Sequence, residues 1–151
     1  MAAGTIVLCS SAAFYEHVNE LADELSKRGF TAVVPITARR MREAGDYDVS
    51  HYKTWYEDEG DYHKKAELMR KHFDEVAAGD AILVVNDEKH GIPGYIGPNV
   101  LMEMGLAFHL HKSIYVLNPA TTDMPLYEEV MGMGSVILDG DLTKIDTKID
   151  L

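Results

Sequence analysis

The feature that most constrains the fold is the continuous apolar run Ala81-Ile-Leu-Val-Val85. Because apolar residues do not alternate with polar ones in this run, both of its faces are expected to be buried, which is typical of an inner strand of a parallel sheet. Parallel strands are joined by long crossovers that are usually helical. The run therefore predicts that strands and helices alternate along the rest of the chain.

Other segments fit that alternation. Short apolar runs predict further strands at residues 5–9, 30–34, 113–117 and 135–138, and apolar residues recur at helical spacing at 14–25, 66–77, 100–108 and 124–131. These elements predict one domain over residues 1–151, with an α/β fold: a flavodoxin-like, doubly wound sheet of five parallel strands in the order 2-1-3-4-5. Apolar residues of the tail are expected to pack on this domain or on a neighbouring molecule; they are Leu142, Ile145, Ile149 and Leu151.

Residues 36–63 have no clear period and predict short helices and a mobile flap. This segment contains five of the 13 aromatic residues: Tyr47, Tyr52, Trp55, Tyr56 and Tyr62. The aromatic side chains either stack on a base or pack over the core, and the sequence leaves both readings open. A basic cluster, Arg39, Arg40 and Arg42, is interpreted as a solvated helix face or as a contact for phosphate.

Charge excludes one class of partner. The formal net charge is -11, so the chain as a whole repels the phosphate backbone of DNA and RNA. A small anionic ligand is still compatible with this charge, because backbone amides at a helix N-terminus can hold a phosphate. We therefore expect a small-molecule partner and no nucleic-acid polymer.

Two further observations bear on the compartment. No apolar run approaches the roughly 20 residues that a membrane-spanning helix needs, and the first residues lack the basic and apolar regions of a signal peptide. Cys9 is the single cysteine and cannot form an internal disulfide, which agrees with a reducing compartment. We expect a cytoplasmic protein with no membrane contact.

Ligands of doubly wound sheets bind at the carboxyl ends of the strands. The loop after the first strand, Cys9-Ser10-Ser11-Ala-Ala-Phe14, offers hydroxyls and small residues that could cradle a sugar or a phosphate. Its serines could equally cap the helix that follows. We take Cys9, Ser10, Ser11 and Phe14 as candidate binding residues, with the Cys9 thiol itself expected to be buried and inert.

The loop after the buried strand carries the stronger signal. It runs from Asn86 to Asn99, and its glycines allow the backbone to approach a ligand closely. Asn99 is expected to cap the next helix. Glu103 would then lie near the first turn, where the partial positive charge of the helix terminus favours an ionised carboxylate suited to be a nucleophile, although first-turn glutamates are also common for structural reasons. The candidate binding residues of this loop are Asn86, Gly94, Tyr95, Gly97 and Asn99.

Two aspartates flank the buried strand. Asp87 follows it, at the edge where sites occur, whereas Asp80 precedes it and has a capping or hydrogen-bonding role as its simplest interpretation. The rule for strand ends therefore favours Asp87. His109 and His111 are two residues apart on a helix, and His51, His63, His72 and His90 have no metal-ligand spacing. No metal is expected.

The combination of Asp80-Ala-Ile-Leu-Val-Val-Asn86, a glycine-rich turn and Glu103-Met-Gly-Leu-Ala resembles the nucleoside 2-deoxyribosyltransferase family, which includes deoxynucleoside monophosphate N-glycosidases. The resemblance implies a flavodoxin-like fold, homo-oligomers and no cofactor. It also implies that Glu103 attacks the anomeric carbon of a deoxyribose. An aspartate that opens the preceding strand belongs to the family site, and Asp80 matches it in position.

The chain departs from that family at Gly97, where many members have an aspartate six residues before the glutamate. Base protonation must then come from elsewhere, and Asp87 is one substitute. The resulting hypothesis is cleavage or transfer at the N-glycosidic bond of a deoxynucleoside or its 5′-monophosphate. The alternatives are a non-catalytic domain that binds or senses nucleotides and an FMN-binding module, although the hydroxyl-rich loop that FMN phosphate needs is missing.

Overall fold

The structure is a computed structural model that describes residues 3–145. Its centre is a five-stranded parallel sheet in the order β2-β1-β3-β4-β5, which confirms the predicted flavodoxin-like order. The strands are β1 (Thr5–Ser10), β2 (Thr31–Val33), β3 (Ala81–Val85), β4 (Ser113–Val116) and β5 (Val136–Ile137). The helices are α1 (Tyr15–Lys27), α2 (Ile36–Ala44), α3 (Tyr62–Ala78), α4 (Pro98–His109) and α5 (Tyr127–Gly132).

The sheet has a separate apolar core on each face. Successive side chains of a strand point to opposite faces, so Leu8 of β1 packs with α1 while Val7 packs with α3 and α4. Every residue of β3 is buried, as its continuous apolar run predicts. Leu142 and Ile145 of the tail join the core on the α1 face, whereas Ile149 and Leu151 lie outside the described residues.

The pairing of β1 with β3 determines where a site can form. These two strands are in register from Ile6 opposite Ala81 to Ser10 opposite Val85. Their carboxyl ends therefore lie side by side, and the loops that follow Ser10 and Val85 start at the same edge of the sheet. This is the point where the strand order reverses, which is where doubly wound folds bind ligands.

The 36–63 segment contains short helices, as the sequence predicts. It begins with α2, which ends at Gly45 in the left-handed conformation, and continues as three single 3-10 turns at Val49–His51, Thr54–Tyr56 and Glu59–Asp61. In two of these turns an aspartate caps the first backbone amides. The segment covers the carboxyl edge of the sheet beside α3, and its mobility stays a prediction.

The arginine cluster lies on the outer side of α2. Arg42 makes a bidentate pair with Asp23 of α1, with distances of 3.0 and 2.6 Å, and Arg39 and Arg40 are exposed. Of the two interpretations that the sequence leaves open, the solvated face is the one observed. Across the described part of the chain, no helix is both long and apolar enough to cross a membrane.

Candidate functional site

A cavity of about 340 Å³ opens at the carboxyl ends of β1 and β3. Its walls come from the loop after β1, the 36–63 segment, the inner face of α3 and the start of α4. The volume is within the range of about 300–1,000 Å³ that is usual for small-molecule sites. Six of the predicted site residues line it: Ser10, Ser11, Tyr95, Gly97, Asn99 and Glu103.

Glu103 is buried in the wall of this cavity. Only 8% of the residue is exposed, and within residues 3–145 its Oε2 atom has no hydrogen-bond partner. Burial raises the pKa of the Glu103 carboxyl, while the charge of His72 and a hydrogen bond from Cys9 oppose that rise. Buried polar atoms normally have a hydrogen-bond partner, so an unpartnered carboxylate oxygen in a cavity wall marks Glu103 as a candidate functional residue.

The predicted reason for the reactivity of Glu103 is wrong. Gly97 occupies the cap position of α4 and Pro98 is the first helical residue, so Asn99 is inside the helix and does not cap it. Glu103 consequently lies in the second turn, and the first turn contains no acidic residue. The field of a helix terminus fades within its first turn. Another group must favour the ionised form of Glu103.

His72 is that neighbour. The Sγ atom of Cys9, a ring nitrogen of His72 and a carboxylate oxygen of Glu103 all lie within 4.8 Å of one another, although the three residues come from β1, α3 and α4. The Nε2 atom of His72 is 3.1 Å from the carbonyl oxygen of Leu8 and 3.6 Å from Sγ of Cys9. A carbonyl only accepts, so Nε2 carries a proton and donates it to Leu8.

This protonation also bears on metal binding. Spacing along the chain gave no reason to expect that a cysteine, a histidine and a glutamate meet in space. The set offers donor types that Zn²⁺ accepts, but a ring nitrogen that donates to a carbonyl has no lone pair for a metal. We therefore interpret the three residues as a proton-sharing cluster.

Titration of the cluster is set by burial and by its carboxylates. Burial alone lowers the pKa of His72, but the carboxylate of Glu75, whose Oε1 lies 3.5 Å from Nδ1, and the charge of Glu103 outweigh that effect, so the pKa is raised. Burial, with the charge of Glu103, raises the pKa of the Cys9 thiol well above its usual value. The thiol therefore stays protonated and is a poor nucleophile, as the sequence predicts.

Three lysines bring positive charge to the cavity. Lys53, Lys65 and Lys89 line it, and in the described part of the chain none of them pairs with a carboxylate. Lys89 donates from Nζ to the hydroxyl of Ser11 at 2.9 Å. Burial, together with the charges of Lys65 and Lys89, lowers the pKa of Lys53. In a chain with a net charge of -11, this cluster gives the cavity a local concentration of positive charge.

Aromatic side chains form the cavity wall that the 36–63 segment supplies. Tyr52, Trp55 and Tyr56 line the cavity, and Lys65 lies 5.7 Å from the centroid of the Trp55 ring. Trp55 is 5% exposed, and its Nε1 atom has no partner among the residues described. These aromatic residues therefore border the cavity, and Trp55 is at the same time buried in the protein interior.

Neither predicted aspartate lines the cavity. Asp80 is at the amino end of β3, where it accepts a hydrogen bond from the backbone amide of Thr5 at 2.7 Å. The length of the strand separates it from the cavity by roughly 16 Å. Asp87 is at the correct end of β3, but its carboxylate is 2.6 Å from Nδ1 of His17 and 3.2 Å from Nδ2 of Asn118. The structure thus brings neither aspartate to Glu103.

Three other candidate residues have structural roles. Asn86 is buried, and its side chain bonds the backbone nitrogen and oxygen of Asn118, both at 2.8 Å, which ties the ends of β3 and β4 together. Gly94 has a φ of 65°, and a Cβ there would lie 2.6 Å from the carbonyl oxygen of Pro119. Phe14 is buried in the core on the α1 face. Cys9 does not line the cavity either and acts beneath it, against His72 and Glu103.

Four of the cavity residues that sequence reasoning missed share one face of α3. Lys65, Met69, His72 and Glu75 recur at helical spacing and all line the cavity. Polar residues that interrupt an apolar stripe at this spacing are the signal that could have found them.

Comparisons with protein-family models, with curated proteins and with solved structures gave no match for the chain.

Proposed function

We propose that the protein cleaves or exchanges the N-glycosidic bond of a deoxynucleoside 5′-monophosphate. The observation that carries the proposal is the placement of Glu103: a buried carboxylate with a free Oε2 atom, in a cavity that also contains aromatic rings and three lysines. A nucleotide has a flat base, a sugar with an electrophilic anomeric carbon and an anionic phosphate. The cavity offers a group for each of these parts.

Glu103 would attack C1′ of the deoxyribose. The new bond joins a carboxylate oxygen to C1′, the bond from C1′ to the base breaks, and the departing base takes the electron pair and a proton. Water, or a second base, then displaces Glu103 from C1′. Two displacements at one carbon predict retention of configuration. Because Asp80 and Asp87 do not line the cavity, the proton for the leaving base comes from a group other than these two.

The lysines support the phosphorylated form of the substrate. Lys53 is half-buried, and its burial is the main cause of its lowered pKa. The charges of Lys65 and Lys89 lower the pKa of Lys53 further, which indicates that the three lysines lie close together. Three like charges that repel one another in one wall are destabilising unless an anion joins them. A phosphate dianion would relieve this repulsion and accept hydrogen bonds from the lysines and from Ser11.

The aromatic wall supports a planar base. Tyr52, Trp55 and Tyr56 present large apolar surfaces, and stacking on such rings is largely independent of base identity. The unpartnered Nε1 of Trp55 can donate a hydrogen bond to a ligand acceptor. Ser10, Ser11 and Asn99 offer polar atoms for the sugar or its phosphate on the opposite side.

A second candidate function is binding without chemistry, as in a nucleotide-sensing domain. The observation that favours it is the absence of both predicted aspartates from the cavity wall. Gly97, where many members of the resembled family have a third aspartate, lines the cavity beside the ring of Tyr95 without a side chain.

One experiment separates the two functions. The protein is incubated with a panel of deoxynucleosides, their 5′-monophosphates and the matching ribonucleotides, with and without an acceptor base, and free base is measured by chromatography. The proposal expects base release from deoxynucleoside monophosphates, and its loss in Glu103→Gln. Thermal stabilisation by a nucleotide that is never cleaved would support the sensing domain and contradict the enzyme.

We also propose a cytoplasmic homo-oligomer. The single cysteine agrees with a reducing compartment, and α4 exposes the apolar side chains of Met102 and Phe108. Light scattering after size-exclusion chromatography measures the assembly. A monomer at micromolar concentration would contradict this part of the proposal.

A further inference from the structure

We propose that His72 is a positioning residue that carries a positive charge between Glu75 and Glu103 and thereby holds Glu103 as a carboxylate. The catalytic consequence of this inference rests on the proposed function, but the charge relationship itself does not. It is a statement about three side chains in the wall of the cavity.

The ring of His72 is fixed in place. His72 is 7% exposed on the inner face of α3, and its Nε2 atom donates to the carbonyl oxygen of Leu8 at 3.1 Å. Its Nδ1 atom lies 3.5 Å from Oε1 of Glu75, one helical turn further along α3. Within the described residues neither of these two atoms has a hydrogen-bond partner of good geometry. Both ring nitrogens therefore face acceptors, which is the arrangement that a doubly protonated imidazole needs.

Glu103 is the second carboxylate near the His72 ring. A ring nitrogen of His72 and a carboxylate oxygen of Glu103 lie within 4.8 Å of each other. The Oε2 atom of Glu103 has no hydrogen-bond partner in residues 3–145. An isolated carboxylate in a buried site costs several kcal/mol, and a nearby cation reduces that cost. His72 can supply the cation, because the charges of two carboxylates, Glu75 and Glu103, favour its protonation.

The remaining titratable groups around His72 do not replace it. The groups that face the cluster are Glu75 and Lys65 on α3, Glu103 on α4, Cys9 on β1, Tyr15 on α1, and Lys53 and Lys89 from the loops. Burial and the charge of Glu103 raise the pKa values of both Cys9 and Tyr15, so these two stay neutral. The lysines lie among the residues assigned above to the phosphate. Among these groups, His72 is the one whose positive charge lowers the pKa of Glu103, and its ring nitrogen lies within 4.8 Å of a Glu103 carboxylate oxygen.

This arrangement accounts for a nucleophile in the second turn of a helix. The helix terminus does not favour its ionised form, and burial opposes ionisation. With His72 charged, the carboxylate of Glu103 is balanced by a nearby cation while the residue still lines the cavity. Without that charge, Glu103 would hold a proton to higher pH and would not attack C1′.

A variant of His72 separates charge from shape. His72→Gln keeps an amide N–H that can donate to Leu8 and removes the charge. In the base-release assay, the acid limb of kcat/KM is expected to move to higher pH in His72→Gln, with a loss of at least tenfold near pH 6 and partial recovery at high pH. His63→Gln, which changes an exposed histidine at the start of α3, is the matched control and should overlay the wild type.

The test that needs no turnover is a titration of the His72 ring by NMR. The ring is titrated in the wild type, in Glu75→Gln and in Glu103→Gln. Because His72 is unchanged in all three proteins, the result does not depend on whether a His72 variant folds. The titration midpoint of His72 is expected to fall in both variants. A midpoint that is unchanged in Glu103→Gln, or a pH profile of His72→Gln that overlays the wild type, would overturn the inference. A wild type that releases no base would refute the proposed function while the NMR titration still decides the charge relationship.

Discussion

A ring nitrogen of His72 and a carboxylate oxygen of Glu103 lie within 4.8 Å of each other, on two different helices that pack against the same face of the sheet. Both residues are more than nine-tenths buried. A buried ionisable pair beside an open cavity is a common mark of a functional site, because such groups cost stability that a purely structural core avoids.

The first prediction concerns that cost. Burial raises the pKa of Glu103, so the ionised form is less favourable in the folded than in the unfolded chain. The folded chain therefore has its full stability at pH values below the pKa that Glu103 has in the unfolded chain. Part of that stability is lost as the pH rises through the higher pKa that Glu103 has in the folded chain. Glu103→Gln is therefore expected to be more stable than the wild type at pH 8, by on the order of 1 kcal/mol or about 2–4 °C in Tm. The gain should shrink at pH 4.

Thermal unfolding followed by circular dichroism measures this difference. Glu67→Gln, which neutralises an exposed carboxylate on α3, is the control and should stay within about 0.5 kcal/mol of the wild type at both pH values. A Glu103→Gln protein that melts below the wild type at pH 8 would contradict the assigned burial cost.

The second prediction concerns the phosphate. Lys89→Ala removes a charge that borders Ser11 and the cavity. A lost charge-assisted hydrogen bond costs about 1.5–3 kcal/mol, so KM for a deoxynucleoside monophosphate is expected to rise at least tenfold. KM for the unphosphorylated nucleoside should change little. Lys71→Ala, on the exposed side of α3, is the control. An equal effect of Lys89→Ala on both substrates would remove the lysines from the phosphate site.

The third prediction uses the single tryptophan of the chain. Trp55 lines the cavity, and a base that stacks near it should change its fluorescence. Titration with a deoxynucleoside monophosphate is expected to give a saturable change in emission, which disappears in Trp55→Phe. If calorimetry detects binding while the emission of Trp55 stays constant, the base does not bind against this wall.

The fourth prediction contrasts two asparagines. Asn86→Ala removes the side-chain bonds to Asn118 and leaves buried backbone groups unpaired, which is expected to cost about 2–3 kcal/mol, or about 5–10 °C in Tm, without a change in KM. Asn99→Ala, at the cavity, should do the reverse and raise KM with little effect on Tm. Melting curves and kinetics on both variants check the pair. A raised KM in folded Asn86→Ala would return Asn86 to the binding site.

The sequence was sufficient for the fold because strand burial and helical spacing are local signals. The run at β3 needs burial on both faces wherever it lies in a sheet, and the crossover rules then leave few strand orders. The same rules predicted four of the residues that line the cavity, because loops at the carboxyl ends of parallel strands meet at one edge of the sheet. These residues are Ser10, Ser11, Tyr95 and Glu103.

Contacts between distant segments were beyond those signals. His72 reaches Glu103 only because α3 and α4 pack on one face of the sheet with the polar side of α3 turned to the cavity. Asp80 was a candidate only through its match in position to the resembled family, whereas the strand-end rule already placed it at the amino end of β3, where the structure has it. The helix α4 begins at Pro98, before the start expected from a cap at Asn99, because proline favours the first helical position. Glu103 therefore lies beyond the first turn of the helix.

The central claim is that Glu103 forms a bond to the sugar of a nucleotide, and mass spectrometry of the quenched protein tests it most directly. After brief incubation with a deoxynucleoside monophosphate that is cleaved, the peptide containing Glu103 is expected to gain the mass of a deoxyribose phosphate, with base released in equal amount. The adduct should be absent in Glu103→Gln and should decay when a second base is added. Base release that continues in Glu103→Gln, with no adduct on Glu103 in the wild type, would contradict the account.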